Sequence, residues 1–500
     1  MTTIPILTLL IATPALGALL IAFLKSTQHA AIRAIALATS LLTFAEFVYA
    51  WFTFQRGVPG LQFVETHAWI PAWNVNYALG ADGISLVMVG LITFLVPFLV
   101  AYMWHTEHHM RGLAMSLLGM QAPLIGVFLA NDLVLFYLFF EVMLIPTWLA
   151  IGAFGTEDRV RAAMKFFVYT LVGGFSFLAG IIYIWVNTGS FNIAQLHGAG
   201  LPLAVQTPVF WLFFLAFAIK LPLMPFHTWQ ASAYASAPIP IAVLLAAVMG
   251  KVGAYGFIRL NVGLLPQAAE QQATLAGTLA VLGIIIGAMI AAAQKDLKRL
   301  IAYSSLAHLG FIALGIFAAT NVSVAGAIIQ MVNHGITTAA LLMLVGWLVL
   351  HSGTNRIDDH GGIFSKAPVL GGIFLYTVMA SIAVPGLNGF PGEFSIMVGS
   401  YGVLPRLTAV AATGVILAAV YFLWAYQRAF FGPVRGASEH MGDLTGPQRY
   451  LVYPLVILML IFGLYPAPLF DVVNPAVDHL LGATAPAATQ MAPEQPTEGN

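Results

Sequence analysis

The sequence contains no cysteine and very little charge. Without a thiol the chain can form no disulfide, no thiolate-ligated iron–sulfur cluster and no cysteine zinc site. Only 8% of the 500 residues are charged, and 19 basic residues balance 19 acidic ones. A neutral chain has no electrostatic reason to bind nucleic acid or another polyanion. No glycine-rich phosphate loop lies between a strand and a helix, which argues against nucleotide chemistry in this chain.

Long apolar runs dominate the sequence. Hydrophobic residues make up 60% of the chain and the mean hydropathy is +0.91, which predicts an all-α polytopic membrane protein. A bilayer core of about 30 Å takes about 20 helical residues. Runs of this kind predict fourteen spans, numbered in chain order: 4–24, 32–53, 82–104, 112–130, 132–153, 165–187, 208–221, 239–260, 273–293, 299–319, 322–350, 368–400, 406–430 and 450–470.

The basic residues test this count and predict an orientation. Fourteen of the 19 Lys and Arg residues follow odd-numbered spans, three follow even-numbered spans, and two lie inside spans. Basic residues concentrate in cytoplasmic loops, so both termini are expected on the outer, periplasmic side of a bacterial inner membrane. One mistaken span would scramble this bias.

Two spans are interrupted at membrane depth. Pro222 and Pro225 follow the apolar run of span seven, and "VPGLNGFPGEF" (384–394) interrupts span twelve. Irregular backbone at this depth is tolerated where it lines a cavity or is buried in protein. Two breaks five spans apart predict an inverted repeat, with spans 4–8 related to spans 9–13. The expected units are 1–111 (helices 1–3), 112–260 (first repeat), 261–431 (second repeat), 432–482 (helix 14) and a disordered tail, 483–500.

Six titratable residues lie in six different spans. They are Glu141, Lys220, Lys251, His308, His334 and Glu393. A charge in lipid costs about 2.5–3.5 kcal/mol on insertion scales, so each needs a partner, a hydrated cavity or a function. Structural ion pairs and interhelical hydrogen bonds are one interpretation. Six such groups exceed what packing needs, and Ser304 and Gln330 extend polar stripes one turn before the two histidines. We therefore favour a hydrated interior in which desolvated groups exchange protons.

Three other polar features are interpreted as structural. Glu46, in the outer half of span two, and Asp82, at the start of span three, are expected at the membrane interface. The cluster "HTEHHM" (105–110) could bind a metal or haem, but it lies at a span end beside an arginine. We interpret it as a solvated loop.

Four motifs resemble one family of membrane proteins. "KLPLMPFHTW", "KDLKRLIAYSSLAHLGF", "NHGITTAALLMLVG" and "VPGLNGFPGEF" are similar to segments of the antiporter-like membrane subunits of respiratory complex I, shared with Mrp-type cation/proton antiporters and membrane-bound hydrogenases. The likeness runs from about span three to span thirteen. Glu393, where other branches are expected to carry lysine, and a chain that ends soon after span fourteen favour the M-type branch.

The resemblance implies a fourteen-helix, proton-translocating subunit of NADH:quinone oxidoreductase without a redox centre of its own. Glu141 would be the acid of a first half-channel, Lys220 its partner and Lys251 the central relay. His308 and His334 would connect Lys251, through water, to Glu393. By this resemblance, FMN, iron–sulfur clusters and quinone would lie in partner subunits, and L-type and N-type subunits would lie on either side.

The sequence departs from the family pattern after His227. The family usually continues Trp-Leu-Pro-Asp-Ala-His, whereas this chain has "WQASAYASAP", with Ser232 and Tyr234 at the positions of the acid and second histidine. The geometry of proton input at this point is therefore open. Three alternatives also remain at this stage: an Mrp-type cation/proton antiporter, a membrane-bound hydrogenase subunit, and a haem- or quinone-binding redox subunit.

Overall fold

The computed structural model describes residues 4–105, 109–156 and 158–482, and these ranges are almost entirely helical. The part of the chain N-terminal to the second break contains α1 (Ile6–Ala22), α2 (His29–Thr53), β1 (Gln62–Ile70), β2 (Val75–Ala81), α3 (Gly83–Tyr102), α4 (Met110–Leu129), α5 (Leu133–Val142), α6 (Leu144–Phe154), α7 (Arg159–Thr188), α8 (Ile193–Leu196), α9 (Leu203–Lys220), α10 (Gln230–Ser236), α11 (Ile239–Leu244), α12 (Gly250–Gly256), α13 (Pro266–Ala292), α14 (Leu297–Ala318), α15 (Asn321–Ser352), α16 (Ile363–Lys366) and α17 (Pro368–Ser381). The remainder contains α18 (Gly389–Tyr401), α19 (Pro405–Phe430), α20 (Gly446–Leu464) and α21 (Ala467–Gly482).

Each of the fourteen predicted spans corresponds to helical structure. Within the described residues, 12 helices are long and apolar enough to cross a membrane, with α5 and α6 together forming one of them. Two shorter apolar helices, α1 and α17, lie at the first and twelfth predicted spans. The prediction of an all-α polytopic membrane protein is confirmed. The inverted relation of the two repeats stays a prediction.

Two parts of the structure differ from the sequence-based prediction: a β-hairpin and an additional helix. Strands β1 and β2 form an antiparallel hairpin in the long connection before span three. The segment 432–482 holds two helices, α20 and α21, because Tyr465 and Pro466 end the first of them. Helix α21 packs against the start of α3 so closely that a Cβ on Gly83 would lie 1.8 Å from the carbonyl oxygen of Val472. The predicted tail, 483–500, and the centre of the cluster at 105–110 lie outside the described residues.

Aspartate side chains begin three of the spans. Asp82 accepts from the amides of Ile84 and Ser85 at the start of α3, and Asp132 and Asp296 cap α5 and α14 in the same way. A side-chain acceptor at this position satisfies amides that have no partner inside the helix. Asp82 also pairs with Arg259 of span eight. These contacts support the structural interpretation of Asp82, which stays a prediction.

Two of the spans that carry titratable residues, eight and ten, lie at the centre of the bundle. All of the most apolar window of span eight (Ile239–Val262) is buried, and 94% of that of span ten (Leu297–Ala318), whereas only 22% of span fourteen is buried. Lys251 and His308 therefore lie on helices surrounded by other helices. Their side chains are shielded from the surrounding lipid.

Both predicted helix breaks are present. Span seven leaves its helix after Lys220, and α10 begins at Gln230. The indole Nε1 of Trp229 donates to the carbonyl of Ile219 at 2.9 Å and ties this return segment to the end of α9. Span twelve is interrupted between Ser381 and Gly389, where Asn388 Nδ2 donates to the carbonyl of Asn333 at 3.2 Å. Protein side chains thus support the irregular backbone in both places.

Candidate functional site: a buried file of titratable side chains

The centre of the file is a contact between Lys251 and His334. The Lys251 ammonium lies 2.7 Å from Nδ1 of His334 and donates to the carbonyl of Ala246 at 2.6 Å. Ala246 belongs to a π-helical turn, Leu245–Met249, in the middle of span eight. Neither Lys251 nor His334 is more than 4% exposed. One proton can reside on either nitrogen of this contact, since a neutral imidazole accepts and a neutral amine does too.

The file continues from His334 to His308 and Glu393. The two imidazole rings have centroids 5.6 Å apart and are tilted by 55°. Nδ1 of His308 lies 2.7 Å from Oε1 of Glu393, and Gln330 Nε2 donates to the same oxygen at 3.0 Å. All of these side chains are buried. Four of the six predicted residues therefore form one continuous group.

A small polar cavity adjoins the two histidines. It offers about 10 Å³ to the centre of a water molecule, which is room for about one water. Among the described residues, Nε2 of His308 has no hydrogen-bond partner, although it is buried. The cavity wall includes the hydroxyl-bearing residues Ser304, Thr337, Thr338 and Ser381. A single water there would have several polar partners.

Glu141 and Lys220 form a second, looser group. They are close enough to interact electrostatically, but no described residue hydrogen-bonds the Lys220 ammonium or Oε1 of Glu141. The ammonium instead lies 4.5 Å from the centroid of the Phe140 ring. On its other side, Glu141 approaches span six, where a Cβ on Gly174 would lie 2.0 Å from Oε1. The two charges are therefore neighbours in a separated arrangement rather than an ion pair.

The structure adds one detail to the expected file and changes another. His334 rather than His308 contacts Lys251, an order that the resemblance left open, because the packing of spans eight and eleven puts His334 there. The expected water connection is replaced in part by direct contacts, Lys251 with His334 and His308 with Glu393. Three further features shape the surroundings of Lys220, Glu141 and Lys251: the Phe140 ring, the space above Gly174 and the π-helical turn. None of them involves a charged side chain, so no charge marks them in the sequence.

Other polar groups stand apart from this file. Glu46 accepts a hydrogen bond from Thr13 at 2.7 Å between spans one and two, in line with a structural role. Within the described ranges, no group of three or more His, Asp or Glu side chains could hold a metal ion. The cavity between His308 and His334 is far too small for a haem, and Glu393 occupies one nitrogen of His308. This geometry disfavours a haem at the histidine pair.

Known proteins resemble this chain over nearly its whole length. A family model described as "NADH:quinone oxidoreductase/Mrp antiporter, TM" matches residues 130–418. The NADH-quinone oxidoreductase subunit M of Rhodobacter capsulatus is 39% identical over 461 residues, which cover 89% of this chain and 90% of that protein.

Solved structures give the same result for the fold. A chain of respiratory complex I from Thermus thermophilus with bound NADH matches with a TM-score of 0.88 and 31% identity, covering 96% of this chain and 100% of that one. A chain of the Mrp complex from Dietzia sp. DQ12-45-1b matches with a TM-score of 0.86 at 21% identity, covering 97% and 98%, which shows a shared fold. The R. capsulatus relative is an M subunit. The chain thus belongs to the family of antiporter-like membrane subunits common to NADH:quinone oxidoreductases and Mrp antiporters.

Proposed function

We propose that this chain is the M-type, proton-translocating membrane subunit of an NADH:quinone oxidoreductase. The observation that carries the proposal is the buried file Lys251–His334–His308–Glu393, which runs across the centre of the bundle. Each member can take up and release a proton, and successive members are in contact or separated by the space of about one water. Helix packing alone does not require a continuous file of titratable side chains inside a membrane.

The separated pair Glu141 and Lys220 supplies the switch in this proposal. When the two approach, each stabilises the charged form of the other; when they separate, the lysine holds its proton less tightly and releases it towards Lys251. The arrangement described above, with Lys220 against Phe140, corresponds to the separated state. Charges of a neighbouring subunit would drive the exchange between the two states.

The energies are adequate for pumping. Moving one elementary charge against a membrane potential costs about 2.3 kcal/mol per 100 mV. A change of one unit in proton affinity, expressed as pKa, is worth about 1.4 kcal/mol. A change of a few units at one lysine therefore drives one proton against a physiological potential.

The proposal includes partners and a place in the cell. Glu141 is only partly buried. Its own span five exposes Leu138 and Ile145, and the adjacent span six exposes Val172. An ionisable group at such a face needs cover from protein rather than lipid. We propose L-type and N-type subunits on either side, with FMN, iron–sulfur clusters and quinone in other subunits and no redox centre here. The chain would lie in a bacterial inner membrane with both termini on the outer side.

The test is to replace Lys220 or Glu141 by alanine in the assembled complex and to measure protons pumped per NADH oxidised in membrane vesicles. The proposal expects a lower ratio with the complex still assembled. A normal ratio in both variants would refute the relay assignment. Sodium or potassium flux that persists without quinone reduction would favour a cation/proton antiporter instead, although Glu393 argues against this.

A further inference from the structure

The short helix α10 lies between the buried lysines and one end of the bundle. Its N-terminal side is fixed by the bond from Trp229 to Ile219. Its C-terminal end is fixed by the buried Lys298, which donates to the carbonyls of Ala235 at 2.7 Å and Ala237 at 2.9 Å. A cation at the C-terminus of a helix stabilises it. The segment is therefore held firmly at both ends, and its side chains have defined directions.

Two faces of α10 meet different surroundings. Ser232 and Ser236, one turn apart, line a cavity with about 270 Å³ of space for the centres of water molecules. The same cavity is lined by Arg161, Lys165 and Arg299, so it opens at the basic, inner end of the bundle. Gln230 and Tyr234, also one turn apart, are both at most 1% exposed. The helix thus separates a wet inner cavity from the buried interior.

The Tyr234 hydroxyl and the Lys251 ammonium bond to adjacent backbone carbonyls. The hydroxyl donates to the carbonyl of Leu245 at 3.3 Å, and the Lys251 ammonium donates to the next carbonyl, that of Ala246. Both carbonyls belong to the same π-helical turn. A Cβ on Gly250 would lie 3.9 Å from the Tyr234 hydroxyl and 4.0 Å from the carbonyl oxygen of Lys220. Gly250 therefore faces both the Tyr234 hydroxyl and the backbone at the end of α9, and a side chain there would come between them.

The same region contains buried polar atoms that require water. Among the described residues, neither Nε2 of Gln230 nor the Lys220 ammonium has a hydrogen-bond partner. Buried polar groups are nearly always satisfied, and water does this where protein does not. Gln230 and Lys220 lie on the two sides of the helix break.

We propose that Tyr234 and Gln230 form the polar link that brings protons from the inner cavity across α10 to Lys220 and Lys251. This inference rests on the proposed function of the chain. The tyrosine hydroxyl first turns from the carbonyl of Leu245 towards the water beside the lysines. It then passes its proton to that water and accepts one from the water on the cavity side, so it gains and loses one proton and carries no net charge. Rotation back to the carbonyl of Leu245 restores the starting state. Tyr234 thus acts as a relay that stays neutral, which avoids the cost of a further charge in the membrane.

The test distinguishes the role of the Tyr234 hydroxyl from that of the Tyr234 ring. Tyr234→Phe keeps the ring, which packs edge-on against Trp229 with centroids 6.4 Å apart, and removes the hydroxyl alone. The matched control is Tyr426→Phe, because the Tyr426 hydroxyl is also buried and donates to a backbone carbonyl, that of Gly371, at 3.0 Å. Protons pumped per NADH and the rate of NADH oxidation are measured for each assembled complex in membrane vesicles.

Tyr234→Phe is expected to slow proton delivery on the order of tenfold, the effect of losing a buried hydroxyl's hydrogen bonds, and so to lower the pumping ratio. Gln230→Met, which keeps the side-chain length, is expected to lower it as well. Tyr426→Phe is expected to match the unmodified protein. Tyr234→His is expected to restore pumping with a new dependence on pH between about 5 and 8, where histidine titrates and tyrosine does not.

A normal ratio in Tyr234→Phe and Gln230→Met, with a low ratio in Lys220→Ala, would overturn this inference and leave the proposed function intact. A normal ratio in Lys220→Ala as well would overturn the proposed function itself. An equal decrease in Tyr426→Phe would also overturn the inference, because the effect would then follow from losing any buried hydroxyl. If Tyr234→Phe does not assemble, Gln230→Met decides the matter alone.

Discussion

The Lys251 ammonium and Nδ1 of His334 lie 2.7 Å apart at the centre of the helix bundle, where both side chains are buried. The contact joins span eight to span eleven and so joins the two predicted repeats. The same ammonium donates to Ala246, whose carbonyl lies in the π-helical turn. The carbonyl of Ala246 accepts a hydrogen bond from this lysine but cannot take up its proton, whereas His334 can. The proton is therefore released towards His334.

The far end of the file is tested by Glu393→Gln. The amide keeps the size of the side chain but cannot take up a proton, so the file loses its terminal group. Positioned acid–base groups contribute about 10²–10⁴-fold to proton-transfer rates, and we expect a loss of that order for protons passing this chain. The proton ratio in vesicles measures it. Glu46→Gln, which changes a hydrogen-bonded glutamate outside the file, should leave the ratio unchanged, and an equal effect in both variants would contradict the role of Glu393.

The position of Glu141 is tested by two adjacent glycines of span six. A Cβ on Gly174 would lie 2.0 Å from Oε1 of Glu141, so Gly174→Ala must displace the carboxylate. A Cβ on Gly173 meets its nearest atom, Cα of Ala216, at 3.4 Å and fits. We expect both variants to assemble, since a flexible carboxylate can move, but only Gly174→Ala to lower the pumping ratio. Equal ratios in the two variants would show that the present position of Glu141 has no importance for transport.

The ion pair of Asp82 and Arg259 is expected to support the fold rather than proton transfer. Asp82→Asn leaves a buried arginine without its counter-charge, which costs about 3–5 kcal/mol. Asp358→Asn removes a more exposed partner, that of Arg428, and should cost about 0–1 kcal/mol. Thermal unfolding of the purified complexes, with the content of assembled complex in membranes, checks the difference. Assembled Asp82→Asn complex should pump with a normal ratio, and a selective loss of pumping would place Asp82 on a proton path.

The titratable residues could be predicted from the sequence because ionisable side chains are rare in long apolar runs. Lys251 and Glu393 could be identified in this way, and the prolines after Lys220 located the first helix break. The order of His334 and His308 along the file could not be predicted, since it depends on how spans ten and eleven pack against span eight. Phe140 and Gly174 gave no signal either, because an aromatic ring and a glycine are ordinary residues in a membrane helix.

The same limit applies to parts of the fold. Hydropathy located the spans well, because length and apolar content decide whether a helix crosses a membrane. The hairpin of β1 and β2 and most of the helix α21 lie outside the predicted spans, where hydropathy carries little information. Tyr465 and Pro466 end α20, and the packing of α21 against Gly83 depends on contacts between residues almost 400 positions apart.

In the function that we propose, protons pass through this chain along the file that begins at Lys251. The most direct measurement is the number of protons pumped per NADH oxidised by the complex carrying Lys251→Ala, in sealed membrane vesicles, with the exposed Lys295→Ala as control. We predict a lower ratio for Lys251→Ala, with the complex assembled and still reducing quinone, and an unchanged ratio for Lys295→Ala. An unchanged ratio in assembled Lys251→Ala complex would contradict it.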